Sequence, residues 1–239
     1  MVIATGTVLG LNRWPVKSMG GEPVETFALD HDGVAGDRAH VLYDLHQGAP
    51  RQLTARQAPR LLAWHASYGD WDGAVGAMPP ATLKAPDGTV RTWDDPELPA
   101  ALADDLGRHV ELRVNPRGQP DLPDSVLVTT RATHEAVERD LGRTLDPRRW
   151  RTNVHVELDD VPAFTEEAWE GRTLTIGAAT FTLLHPCVRC VIPTRDPDTQ
   201  EKAADILRHL TREHGGLFGM NARAHGPARV RVGDAVRFT

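Results

Sequence analysis

The chain has only two cysteines in 239 residues, Cys187 and Cys190. Two neighbouring thiols cannot staple a fold, which excludes a disulfide framework and confines any thiol chemistry to one place. No apolar run approaches the ~20 residues that span a bilayer. The apolar opening from Met1 to Gly10 lacks the charged start and longer apolar core of a signal peptide. The expectation is a cytoplasmic protein. An excess of positive charge is also missing: 27 Lys and Arg against 33 Asp and Glu leave a net charge of −6. That balance argues against whole-chain attraction to nucleic acid while leaving room for a local basic pocket. Internal repeats and low-complexity tracts are absent, and the 21 glycines and 18 prolines are scattered as punctuation.

What remains is the composition of an ordinary soluble globular protein, 40% hydrophobic and 25% charged. Its patterning is mostly that of short strands: Thr5 to Leu11, Val24 to Leu29, His40 to Asp44, Val110 to Val114, Ser125 to Thr130, Asn153 to Glu157, Thr173 to Ile176 with Ala179 to Leu184, and Val230 to Phe238. Helical spacing marks Pro99 to Leu106, Thr133 to Leu141, and Gln200 to His214, where Ala203, Ile206, Leu207 and Leu210 form one apolar stripe. Met78 to Asp95 reads as a loop or edge with a hairpin around Pro86-Asp87-Gly88. Turn formers cluster from Asn115 to Pro123, which places a domain boundary near residue 115.

The densest chemical signal is His185-Pro-Cys-Val-Arg-Cys190. A zinc site would use His185, Cys187 and Cys190, but a closed structural site wants four ligands and no second pair exists. A thioredoxin-like dithiol sits at a helix N-terminus, whereas Pro193 and Asp196-Pro197 interrupt any helix starting at Cys190. The third reading is a single thiolate on a soft-accepting transition metal, with Arg189 favouring the charged form and the anion of a cofactor. Spacing alone prefers it only slightly, because two nearby cysteines are often small buried hydrophobes. Asp196 and Asp198, just before a helical stretch, read as turn and N-cap residues before they read as metal ligands. His185, Trp14 and Trp150 read first as packing.

Motifs in sequence order carry a resemblance over nearly the whole chain: Trp14-Pro-Val-Lys-Ser18, Gly36-Asp-Arg38, Leu53-Thr-Ala-Arg-Gln57 with Pro59-Arg-Leu61, Arg151-Thr-Asn153, Cys187-Val-Arg-Cys190 with Asp196-Pro-Asp-Thr199, Phe218-Gly219, and Val232-Gly-Asp-Ala-Val236. The sequence resembles the MOSC (molybdenum cofactor sulfurase C-terminal) family. It is similar to the branch with an N-terminal MOSC β-barrel domain, which includes the mitochondrial amidoxime-reducing component and bacterial relatives. The resemblance implies a mainly β fold, β-barrel with a few peripheral helices, as an N-terminal β-barrel-like domain over 1–115 and a MOSC domain over 116–239.

It further implies a molybdopterin-type molybdenum cofactor with Cys190 as the metal ligand and catalytic residue. Lys17, Ser18, Arg38, Arg56, Arg151, Asn153 and Arg189 match the family's cofactor-contact positions. Lys and Arg suit that role because they give charge-assisted hydrogen bonds to phosphate, Arg with a planar fork. The activity implied is reduction of N-hydroxylated substrates such as amidoximes, hydroxylamines and N-oxides. No flavin, nicotinamide or iron–sulfur signature is present, so electrons are expected from a ferredoxin- or cytochrome-like partner. The alternative is a molybdenum cofactor or sulfur carrier that uses a cysteine persulfide without turnover. Val188, Pro193 and Gln200 depart from the amidoxime-reducing pattern, where Ser, Thr and Gly stand, and leave the substrate open.

Overall fold

Alternation of buried and exposed residues shapes the second half of the chain. Val154 and Val156 are buried on one strand, Leu174 and Ile176 on a second, Val236 and Phe238 on a third, the period of a sheet with one covered face. The computed structural model describes residues 1–30, 32–71, 73, 78–115 and 126–239. Its first portion holds β1 (Ala4–Arg13), β2 (Glu22–Val24), β3 (Thr26–Asp30), β4 (Gly33–Val34), β5 (His40–His46), β6 (Ala49–Leu53), β7 (His65–Ser67), β8 (Thr82–Lys84), β9 (Val90–Thr92), α1 (Leu98–Leu106) and β10 (Glu111–Val114). There follow β11 (Val126–Thr130), α2 (Arg131–Leu141), β12 (Val154–Leu158), β13 (Thr173–Ile176), β14 (Ala179–Val188), α3 (Ala204–His214), β15 (Leu217–Ala224), β16 (Ala228–Arg231) and β17 (Ala235–Phe238). The mainly β expectation holds, with the helices peripheral to a barrel. Among the described residues no helix is long and apolar enough to cross a membrane.

The barrel is a ring of seven strands in the order β1, β12, β11, β15, β14, β13, β17, closed by pairing of β17 with β1. Neighbours are antiparallel except β11 and β12, the two strands joined through α2, since a parallel pair needs a crossover. Closure removes the open edges that would otherwise recruit other chains. Inside the ring Val8, Leu11, Val128, Val156, Leu174, Phe181, Met220 and Phe238 pack together. Each such side chain, fully buried, contributes about 1.5–3 kcal/mol.

A second core gathers Leu42, Leu53, Leu61, Trp64, Leu83, Trp93, Leu98 and Leu102 between the sheet β10-β5-β6, the sheet β7-β8-β9 and α1. The two portions are stitched by strands rather than by a single tether. β1 precedes the second core in sequence but belongs to the barrel, and β16 leaves the barrel side to pair with β3. That stitching sets the loops after β1 and β4 against the ends of β12 and β14.

Several elements differ from the patterning. β15 escapes notice because Phe218 to Ala222 are buried without alternation and Gly219 interrupts them. A Cβ at Gly219 would come within 2.8 Å of Val128 O and Thr129 Cγ2, and its φ is +78°, so only glycine lets β15 lie against β11. The single strand expected from Val230 to Phe238 is two strands in two sheets, broken where Asp234 Oδ2 accepts from Arg231 N and Gly233 turns with positive φ. The hairpin at Pro86-Asp87-Gly88 forms, and β8 pairs with β7 as well as β9. α3 starts at Ala204 rather than Gln200, because Asp196 accepts from the backbone of Asp198 and Thr199 and Gln200 sits at φ +62°. The N-cap expectation for Asp196 and Asp198 is therefore corrected: they build a turn ahead of the helix, and Ala203 occupies the cap. Of the linker expected from Asn115 to Pro123, all but Asn115 lies outside the described residues.

Candidate functional site

The loop after β1 begins where Trp14 N donates to Asp37 Oδ1 at 2.8 Å and Arg38 N donates to Trp14 O. These two bonds lock Trp14-Pro-Val-Lys-Ser18 to Gly36-Asp-Arg38. Ser18 Oγ accepts from Ala55 N at 3.0 Å, and Lys17 Nζ donates to Gln52 Oε1 at 2.5 Å, which ties the same loop to β6 and the turn after it. From the barrel side, the 3-10 turn Pro147–Trp150 delivers Arg151, and β14 delivers Cys187 and the Arg189–Cys190 segment that follows it. β14 slips register against β15 between Leu183 and His185 and again between Pro186 and Val188, bulges that re-aim the end of the strand.

These elements surround a cleft of 230 Å³. Of the residues expected from sequence, Lys17, Ser18, Arg38, Arg151, Arg189 and Cys190 line it. Arg56 and Asn153 do not. Arg56 is exposed on the turn that Ser18 anchors. Asn153 is fully buried behind the cleft, donating to Asn12 O and Asp37 Oδ1 and accepting from Leu127 N at 3.1 Å. Its observed work is to hold β1, β11 and the Asp37-Arg38 pair in register. Asp32, Asp37, Trp150 and Asn221 also line the cleft. Asp37 was visible in the Gly36-Asp-Arg38 motif but unassigned. Asn221 was hidden with the strand that carries it.

Charge concentrates here against the grain of the chain. Four cationic side chains and two carboxylates line the cleft, in a protein whose net charge is −6. Arg38 is neutralised by its ion pair with Asp37 and donates to Arg151 O at 3.3 Å. Arg151 has no carboxylate bonded to it among the described residues. Its Nη1 donates to Met19 O, its guanidinium lies 4.3 Å from the Trp14 ring centroid, and its Nη2 finds no acceptor. Burial pushes its pKa down, Arg38 pushes the same way, and Asp37 and Cys190 oppose them. A buried cation in that state gains from an incoming anion. Arg189 donates Nη1 to Cys187 Sγ at 3.2 Å and Nη2 to Trp150 O at 2.7 Å, while its Nε is buried without an acceptor.

Backbone strain gathers at the same place. Ser18, Arg38 and Arg151 all have positive φ, at 70°, 52° and 52°, a region non-glycine residues enter at a cost of order 1–3 kcal/mol and mostly where function or packing demands it.

Both cysteines are free thiols, Cys190 exposed and Cys187 partly buried. Ile192–Thr194 forms a single 3-10 turn after Cys190, so neither cysteine caps an α-helix as a dithiol exchange site would require. His185, Cys187 and Cys190 do not bring ligand atoms within 4.8 Å of one another; among the described residues only Asp140, His209 and His214 do. The zinc reading of the cysteine motif therefore has no geometric basis, and a single exposed thiol beside unsatisfied buried donors is what the cleft presents.

Family models match both portions: the MOSC N-terminal beta barrel domain over residues 5–92 and the MOSC domain over residues 120–237. The chain belongs to the MOSC family. Among solved structures this MOSC protein is similar to the YuaD protein from Bacillus subtilis, at 16% identity and TM-score 0.54, covering 100% of this chain and 98% of that one. That likeness is one of fold. YiiM from Geobacillus stearothermophilus matches at 12% identity and TM-score 0.39, over 48% of this chain and 53% of its own. No curated protein matches the sequence. MOSC domains are associated with molybdenum-cofactor binding, and the donor set fits such a group: unsatisfied guanidinium N–H groups for an anion, and a free thiol for a metal.

Proposed function

We propose that this MOSC protein binds a molybdopterin-type molybdenum cofactor in the cleft, with Cys190 as metal ligand, and reduces N-hydroxylated small molecules with electrons from a ferredoxin- or cytochrome-like partner. The observation that carries the reading is the pair of buried guanidinium atoms without acceptors, Arg151 Nη2 and Arg189 Nε, on the walls that also hold the exposed Cys190 thiol. When bound, the cofactor supplies two-electron oxygen-atom removal at molybdenum.

The chain's own residues bind and orient. Arg151 and Arg189 donate to the anionic end of the cofactor, and Lys17 and Ser18 close the opposite wall. Arg38 on the wall and Asn153 behind it brace them: the Asp37–Arg38 pair and the Asn153 side chain hold the two loops so that Arg151 keeps its strained conformation. Trp150, stacked on Phe218 at 3.9 Å, forms an apolar floor with Leu127 and Ile192 that keeps water from one side of the cleft. Converting an amidoxime to an amidine consumes two electrons and two protons and releases water. The electrons come from the partner and the protons from solvent through the open side of the cleft, where Val188 is exposed.

One observation favours the carrier alternative: Arg189 places a donor on Cys187 Sγ, the kind of contact that would steady a persulfide. Metal and pterin content separates the two when the protein is made in a host that synthesises the cofactor. Near-stoichiometric molybdenum and pterin in the wild type and in Cys187→Ser, with molybdenum lost in Cys190→Ser, is the expected result, followed by turnover of an amidoxime with an artificial reductant. Cofactor lost equally in both variants, or present without any turnover, would move the assignment to cofactor or sulfur transfer.

A further inference from the structure

We propose that Asp140, His209 and His214 form a second metal site, taking one divalent transition-metal ion of the zinc class, on the face of the molecule where α2 and α3 end. The site is independent of the cysteine cleft and of the function proposed for it.

The three side chains come from two helices. Asp140 is the penultimate residue of α2, His209 lies within α3 and His214 is its last residue. One ligand atom from each falls within 4.8 Å of the others. His209 Nε2 lies 3.3 Å from Asp140 Oδ2, which matches the about 3.3 Å edge of a tetrahedron with metal–ligand bonds near 2.0–2.1 Å. Two imidazoles and a carboxylate are the donors that zinc accepts in three-ligand sites, the remaining position going to water.

The second observation is that His209 is not accounted for by its surroundings. It is only 9% exposed, and its Nε2, 3.3 Å from Asp140 Oδ2, makes no hydrogen bond among the described residues. With the ring proton on Nδ1, Nε2 presents its lone pair to the cluster, as a metal-bound imidazole does. His214 is preset by packing: its ring stacks on Phe164 at 3.5 Å and 9°, which fixes its orientation beside His209, ring centroids 5.7 Å apart. Residues five apart on a helix normally point about 140° apart; here the pair converges because His214 closes the helix and Phe164 holds its ring.

Electrostatics favours the same ion. α2 ends at Gly142 and α3 at Gly215, both in left-handed caps, so the negative ends of two helix dipoles lie beside the cluster. Arg143, three residues after Asp140, is engaged by Asp205 at 2.6 Å. A metal there would clamp α2 to α3 over the small core of Val137, Ile206, Leu210, Trp150 and Phe218, and Trp150 is also a floor residue of the cleft.

The test uses the full chain carrying Cys187→Ser and Cys190→Ser, which removes the competing thiolates, stripped of metal and titrated with Zn2+ against a chromophoric chelator. One equivalent bound is expected, with affinity weakened more than about tenfold by Asp140→Asn or His209→Gln, the loss that even an outer partner of a metal ligand typically causes. Absence of binding in the thiol-free chain, or equal binding in the variants, would overturn the proposal. Should the variants misfold, Co2+ added to the thiol-free chain decides alone. A four- or five-coordinate ligand-field spectrum without sulfur charge transfer supports the site, and the spectrum of the hydrated ion refutes it.

Discussion

Arg148, Arg149 and Arg151 stand within one short run of sequence, yet they end in two different electrostatic situations. On one flank of the turn, Arg148 bonds Asp146 and Asp198, and Arg149 bonds Asp196 at 2.8 Å. On the other flank Arg151 turns into the cleft with no carboxylate bonded to it among the described residues, its Nη1 donating to Met19 O. The paired arginines fasten the turn at 196–199 to the barrel. The unpaired one faces the cleft. Identical side chains two or three positions apart therefore do opposite things, and what separates them is the left-handed conformation of Arg151, φ 52°, which reverses its direction out of the 3-10 turn.

Replacing Arg151 with Met tests the unpaired flank and should have the largest effect. Loss of a charge-assisted hydrogen bond to the cofactor's anion, worth about 1.5–3 kcal/mol, predicts roughly 10- to 150-fold weaker cofactor retention, measured as pterin content after dialysis. The same change removes a buried cation that lacks an ionic partner, so the melting temperature of the cofactor-free protein should hold or rise. A fall of several degrees without loss of cofactor would break the comparison.

Arg149→Met should do the reverse. Arg149 is buried and its pair with Asp196 partly so, and removing it strands the carboxylate; a cost of about 2 kcal/mol is expected in chemical denaturation. Cofactor retained by the folded fraction should match wild type, and a retention loss as large as that of Arg151→Met would erase the distinction between the flanks.

Acid titration sharpens it further. Backbone bonds from Thr199 and Asp198 hold the Asp196 carboxyl below its ordinary pKa of 3.8, and Arg148 does so for Asp198. A depressed folded pKa means the unfolded chain binds protons first as pH falls. The stabilisation is thus complete above the ordinary value near 3.8 and is lost as pH drops through the folded one. Amide-exchange protection of the turn at 196–203 should be flat from neutral pH down to about 4 and collapse below it; loss already near pH 6 would exclude these carboxylates as its cause. The smallest effect is expected of Arg148→Met, whose partly exposed pairs should contribute less than about 1 kcal/mol, seen as a small shift that salt abolishes in the wild type.

Much of this was written in the order of the residues. Alternating valines and leucines specify β12, β13 and β17 wherever one face is covered, and the stripe at Ile206 and Leu210 specifies α3. The motifs at Lys17-Ser18, Arg38, Arg151 and Arg189-Cys190 name all four cations of the cleft wall and its exposed thiol. Strand β15 was not legible, because it is buried on both faces and broken by Gly219, so it lacks the period that betrays a strand.

Sequence by itself determined that thiol chemistry has one address and that the fold is mainly β, which follow from composition and periodicity, and which cations belong to the motifs, which follows from the resemblance to the MOSC family. Tertiary structure alone decided which cations are spent. Arg38, Arg148 and Arg149 meet carboxylates and Arg151 does not. It also sent Asn153 behind the wall, left Arg56 on the surface, and brought Asp140 from α2 to His209 and His214 on α3. Pairing, burial and convergence depend on distances through space between segments far apart in the chain, and no local pattern of residues encodes those distances.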